Sequence, residues 1–99
     1  MSRYVINILA SQDLTEISDY FAEMNIEVGE EFFREFNGKC QQLVSFPSSG
    51  KSYAAIRADL RGLSIEGYII FYRIIDDGIE ILRVVDGRRN LPSLFSGQD

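Results

Sequence analysis

The most constraining stretch of this chain is a pair of apolar segments around a tight turn. Tyr68 to Ile75 (YIIFYRII) is rich in aromatic and β-branched residues, Asp77-Gly78 is a hairpin turn dipeptide, and Ile79 to Val85 (IEILRVV) returns. With a two-residue Asp77-Gly78 loop, Ile74 faces Ile81, Tyr72 faces Arg83 and Ile70 faces Val85, with Tyr68 on the same side. Ile69, Phe71, Arg73 and Ile75 then share the opposite side with Glu80, Leu82 and Val84. Both sides are mostly apolar, so these are central strands, and each face of the sheet needs a cover. A bulge would exchange the faces.

The rest of the chain supplies that cover. Arg3 to Leu9 reads as a strand. Ser11 stands where a helix N-cap belongs, with Asp13 in the first turn and Leu14, Ile17, Phe21 and Met24 as the apolar stripe. Asn25 to Glu27 is a polar break. A second helix starts near Val28 with Glu30 and Glu31 in its first turn and Lys39 toward its other end, as the helix dipole prefers. Its stripe is Phe32, Phe36, Cys40 and Leu43, with Phe33 alongside, and Phe46-Pro47 ends it. The short break predicts an antiparallel helical hairpin. Pro47 to Ser52 is a loop, Tyr53 to Leu60 is read as a strand, and Leu91 to Phe95 as a short terminal turn after Gly87. The order is β-α-α-β-β-β, an α+β fold with a helical hairpin on a mostly antiparallel sheet, and 99 residues make a single domain of it.

Charge and composition bear on function. The net charge of −5 is unevenly placed. Residues 1–45 carry eight acids against three bases, whereas residues 46–99 carry seven of each and six of the eight arginines. With no histidine, a Ser-His-Asp triad, a Cys-His pair and a histidine-based zinc site are impossible. A single cysteine excludes a disulfide framework, and Cys40 falls on an apolar stripe as a small core residue rather than a nucleophile. Asp76 and Asp77 read as a turn rather than a metal site. Tyr53, Tyr68 and Tyr72 read as packing residues rather than base-stacking platforms. No apolar run approaches the roughly 20 residues of a membrane span, and no signal peptide is evident. Two arginines fall inside strands. Arg73 is placed to pair with Glu80, whereas Arg83 is open between an interior ion pair, stacking on Tyr72, and a partner-facing cation.

Leu60-Arg61-Gly62, Gly67 to Arg73 (GYIIFYR), Asp76 to Val84 (DDGIEILRV) and Gly87 to Leu91 (GRRNL) together resemble the C-terminal half of ParE-type toxins of the RelE/ParE superfamily. Ala10-Ser11, Asp13-Leu14 and Ile17, with Leu43, Phe46-Pro47 and Gly50, are similar in the first half. The resemblance implies the toxin of a bacterial type II toxin–antitoxin pair, of the plasmid-stabilisation kind and cytoplasmic. ParE members bind and inhibit DNA gyrase, RelE members cleave mRNA on the ribosome, and both are neutralised by an antitoxin whose C-terminal segment wraps the toxin. Many ParE-like members carry histidine before the exit glycine; here Asp86 stands there, beside Arg88 and Arg89.

RelE-type cleavage uses basic residues and a C-terminal tyrosine. Here the last tyrosine is Tyr72, inside a strand, and lysines number only two. A net acidic chain also approaches the ribosome against its field. ParE-like action by binding is therefore expected, with no catalytic residue, no cofactor, no metal and no direct contact with nucleic acid or membrane. The alternatives are a RelE-like endoribonuclease and a non-toxic member that only binds antitoxin. Gyrase contacts are expected from Arg83, Arg88, Arg89, Leu91, Leu94 and Phe95, although Leu91 and Phe95 could equally close the core edge. Antitoxin contacts are expected from Arg57, Arg61, Phe21 and Phe33, with arginines pairing with acids of the incoming chain and an edge strand accepting β-addition. The two arginines could equally be solvated charge at strand ends. The implied antitoxin is of ribbon-helix-helix type, in a hetero-oligomer with the toxin, and a homodimer is a further expected assembly.

Overall fold

A computed structural model describes residues 3–95. The elements are β1 (Arg3–Ile6), α1 (Ile8–Met24), α2 (Ile26–Ser45), a 3-10 turn (Pro47–Ser49), β2 (Lys51–Ser52), β3 (Arg61–Ile65), β4 (Tyr68–Ile75), β5 (Gly78–Asp86) and α3 (Leu91–Phe95). The strands form one sheet in the order β1-β5-β4-β3-β2. β1 runs parallel to β5, and the other pairings are antiparallel. The expected β-α-α-β-β-β order holds as an α+β fold, with the two-residue β2 and the short α3 added to it.

The helix ends differ from expectation. The N-cap of α1 is Asn7, not Ser11: its Oδ1 accepts the Leu9 N–H at 2.8 Å, while its own N–H continues the sheet by donating to Ile81. One asparagine thus ends a strand and starts a helix, and Ile8 and Leu9 are helical. Asn25 alone separates α1 from α2. Its N–H caps α1 by donating to Phe21 O, and its Oδ1 accepts from the N–H groups of Glu27 and Val28. The acid in the first turn of α2 is consequently Glu27 rather than Glu30 and Glu31, and Lys39 lies short of a last turn that holds no base. Met24, placed on the α1 stripe, is 66% exposed, because the chain reverses immediately after it. Ile17 is buried, and Leu14 and Phe21 are half-buried against the core.

The third strand occupies Arg61–Ile65, not Tyr53 to Leu60. Residues 53–60 make hydrogen-bonded turns instead, Ile56 N and Arg57 N both donating to Tyr53 O. Gly62 and Ser64 dilute the apolar pattern of the true strand, yet its ladder to β4 runs unbroken from Arg61↔Tyr72 to Ile65↔Tyr68.

The β4–β5 hairpin turns one residue earlier than expected. Ile75 pairs with Gly78, which leaves Asp76 and Asp77 as the loop, and Arg73 lies directly opposite Glu80. The register then slips: Tyr72 pairs with Ile81 but Phe71 with Arg83, so Leu82 is an extra residue in β5. Beyond this bulge Val84 and Val85 exchange the faces they would otherwise occupy. Val84 joins Ile70, Tyr72, Ile79 and Ile81 under the helices, packed against Phe32, Phe36, Cys40 and Leu43. Val85 joins Leu60, Ile69, Phe71 and Leu82 on the other face, which Tyr53, Ile56, Leu91, Leu94 and Phe95 cover. Gly78 is required where β5 begins, since a Cβ there would collide with the Arg3 carbonyl oxygen of β1.

Candidate functional site

The C-terminal exit starts where β5 ends. Gly87 N donates to Gly67 O and Arg89 N to Asp86 O, so the chain leaves the sheet in a closed turn. Asp86 Oδ1 accepts from Arg88 N at 2.9 Å and Nε at 3.1 Å, and Oδ2 accepts from Nη2 at 2.8 Å. The Arg88 side-chain bonds, with its backbone N–H next, hold the Asp86 carboxyl down to about 2. The Arg88 side chain is nonetheless 91% exposed, and Arg89 is exposed beside it. The apolar residues turn inward: Leu91, Leu94 and Phe95 are half-buried on the outer-face cluster, Phe95 edge-on to Phe71 with ring centroids 5.3 Å apart. The exit therefore presents two arginines to solvent over an apolar underside that closes the core.

Arg83 is placed differently from the other two arginines. Its Nε and Nη2 donate to Asp13 of α1 at 2.8 and 2.9 Å, and the side chains are 18% and 11% exposed. Of the readings open from sequence, the geometry here is the ion pair; the hydrogen bond to Asp13 also raises the Arg83 pKa.

The four residues expected on the antitoxin side fall in separate places. Arg61 Nη2 donates to the carbonyls of Ser48 and Gly50, clasping the loop before β2. The same loop is held by Tyr72, whose hydroxyl donates to Pro47 O at 2.6 Å and accepts from Gly50 N at 3.0 Å. Arg57 is exposed, 3.3 Å from Asp59. Arg73 pairs with Glu80 at 2.8 Å. Phe33 lines a shallow groove between the helices with Leu14, Thr15 and Ser18. Phe21 lines a second cavity at the hairpin's closed end with Val28, Glu31, Phe32 and Glu66. The two phenylalanines thus mark the helical hairpin, whereas the two arginines lie with the sheet and its loops.

Sequence reasoning missed Asp13 as the partner of Arg83, because the two are 70 positions apart and nothing local couples them. It left Tyr20 out and read Tyr68 as a packing residue; Tyr68 does pack on the core, against Phe32, and with Tyr20 it also lines a cleft with Asp86 and Arg88. Burial pushes the Tyr68 phenol up, the Asp86 charge adds to this, and Arg88 opposes it. At neutral pH the cleft therefore holds a neutral phenol, a carboxylate and a guanidinium: groups for recognition by charge and shape. Among the described residues, no three His, Cys, Asp or Glu side chains gather to hold a metal ion, and no helix is long and apolar enough to cross a membrane.

The fold is one found in ParE-type toxin–antitoxin proteins. Over residues 4–91 the chain matches, and belongs to, the family described as ParE toxin of type II toxin–antitoxin system, parDE. It is 28% identical over 92 residues to Toxin ParE3 of Caulobacter vibrioides, covering 92% of each chain. Its fold is similar to a chain of the chromosomal ParDE TA system from P. aeruginosa, with a TM-score of 0.72, 19% identity, and coverage of 87% of this chain and 96% of that one.

Proposed function

We propose that this ParE-type toxin acts by binding, inhibiting DNA gyrase until a cognate antitoxin occupies it. The observation that carries this reading is the exit: Arg88 and Arg89 stand in solvent on a turn whose apolar residues anchor it to the sheet. Arg89, together with an Arg88 braced by the Asp86 carboxylate, puts guanidinium donors on a fixed turn that can recognise a protein surface without any proton transfer. The antitoxin surface in this reading is the helical hairpin with Phe21 and Phe33, and the antitoxin is of the ribbon-helix-helix type.

Cleavage of RNA is the poorer fit on chemistry. A 2′-hydroxyl must lose a proton and a leaving oxygen must gain one. The cleft beside the exit offers a carboxylate held at about 2 and a phenol pushed above its ordinary range. Neither is poised near neutral pH. Tyr72, the last tyrosine of the chain, is buried with its hydroxyl occupied by Pro47 and Gly50.

Expression without antitoxin tests the reading. Filamentation, a DNA-damage response and loss of supercoiling by purified gyrase are expected, and Arg88→Glu/Arg89→Glu should abolish all three while the chain stays folded. Arrest of translation with cleaved mRNA would replace this reading with the endoribonuclease, and absence of a growth defect would leave an antitoxin-binding module.

A further inference from the structure

At the closed end of the helical hairpin a cavity of about 410 Å³ is walled by Phe21, Val28 and Phe32 and lipped by Glu31 and Glu66. Val28, Glu31, Phe32 and Glu35 follow one another at i, i+3, i+4 and i+7, so they share one face of α2. Glu66 reaches the same place from the β3–β4 turn, where it sits at φ 49°. The Phe21 and Phe32 rings lie 5.6 Å apart and form the floor. Of the apolar lining, Val28 is half exposed, and Met24 and Ile26 on either side of the Asn25 junction are exposed as well. Exposed apolar surface beside like charges is costly to keep solvated and is relieved by a partner that brings apolar groups and the opposite charge. The Glu35 carboxyl is pushed up, by a side-chain hydrogen bond with Glu66 beside it first and then by desolvation and like charge.

We propose that this cavity seats a cationic amphipathic segment of the antitoxin, an aliphatic side chain resting on the Phe21–Phe32 floor and a lysine or arginine held among Glu31, Glu35 and Glu66. The proposal rests on the reading that an antitoxin holds this chain, and it reverses the expected polarity of that contact. On the hairpin side the toxin supplies the acids and the antitoxin the base. An acidic segment or a phosphate backbone would enter against the field of a helical half that carries eight acids to three bases.

The test uses the full chain and two fluorescent amphipathic helical peptides of equal apolar pattern, one with lysine on its polar face and one with glutamate. The lysine peptide should bind, with affinity falling as salt rises. The isosteric variant Glu31→Gln/Glu35→Gln/Glu66→Gln should bind it about tenfold more weakly or worse, with a flatter salt dependence. A charge-matched control, Glu30→Gln/Asp59→Asn/Asp76→Asn, should stay within about twofold of the unmodified chain. Equal weakening by the control, or equal binding of the glutamate peptide, overturns the proposal. The antitoxin from the adjacent reading frame separates the two readings. If it binds the unmodified chain and the lip variant equally well, the cationic seat falls and the antitoxin reading stands. If it does not bind the unmodified chain, both fall.

Discussion

Arg83 of β5 and Asp13 of α1 are joined by two parallel hydrogen bonds of 2.8 and 2.9 Å, and the same carboxylate accepts the Val84 N–H at 2.9 Å. β1 pairs with β5 only as far as Ile6↔Ile81. Among the described residues no strand flanks β5 on that side beyond this point, and Asp13 stands in for one. A single acid thus satisfies a backbone donor, neutralises an arginine and fastens the helical hairpin to the sheet.

Removing that acid should be costly. Asp13→Ala leaves Arg83 and the Val84 N–H unpaired in a mostly buried position, and a loss of about 2–4 kcal/mol is expected in urea unfolding. Adding Arg83→Met should recover part of the loss, because the stranded charge is then gone. A double variant no more stable than Asp13→Ala would contradict this account.

Tyr72→Phe removes one hydroxyl and strands two backbone groups, Pro47 O and Gly50 N. The fold should lose about 1–3 kcal/mol. Hydrogen exchange should locate the change, with the Gly50 amide exchanging faster than amides of β4. The ring itself is retained, so packing under the helices should be unaltered.

The Asp86–Arg88 pair predicts a pH response. Folding lowers the Asp86 pKa, so the pair's contribution is present above the ordinary carboxylate value of about 3.9 and fades as pH falls toward about 2. An NMR titration of the Asp86 carboxyl should have its midpoint at about 2. In Arg88→Ala the midpoint should move up toward the ordinary value. An unchanged midpoint would show that Arg88 is not what holds the carboxyl down.

Cys40 should be inert. It is fully buried, and burial pushes its thiol up to about 12. Iodoacetamide at pH 8 should leave the folded chain unmodified and alkylate it completely in denaturing urea. Modification of the native protein at a rate close to that of the unfolded chain would place the thiol at the surface.

Local pattern carried the reading far. The dense β-branched and aromatic run of YIIFYRII defines β4 to the residue, since few other structures bury both faces of such a run. Phe32, Phe36, Cys40 and Leu43 repeat at helical spacing, and all four are buried. Charge placement was equally legible: the acids follow the helices, and Arg88 and Arg89 mark the exit. Errors began where a residue serves two elements. Asn7 closes a strand and caps a helix, and Asn25 ends one helix while starting the next, so the boundaries moved to them and away from Ser11 and the three-residue break that local rules favour.

Local pattern reached the Arg73–Glu80 pair across one hairpin, and tertiary structure decided the longer-range meetings. The extra residue at Leu82 is invisible in an apolar run, because Leu82, Val84 and Val85 suit either face, yet it assigns Val84 to the helices and Val85 to the outer layer. The same holds for Asp13 with Arg83, for Tyr72 with the Pro47–Gly50 loop, and for Glu66 with the face of α2. Periodicity encodes contacts a turn or a strand apart. Pairings across tens of residues arise only when packing brings the elements together and desolvation compels each polar group to find a partner.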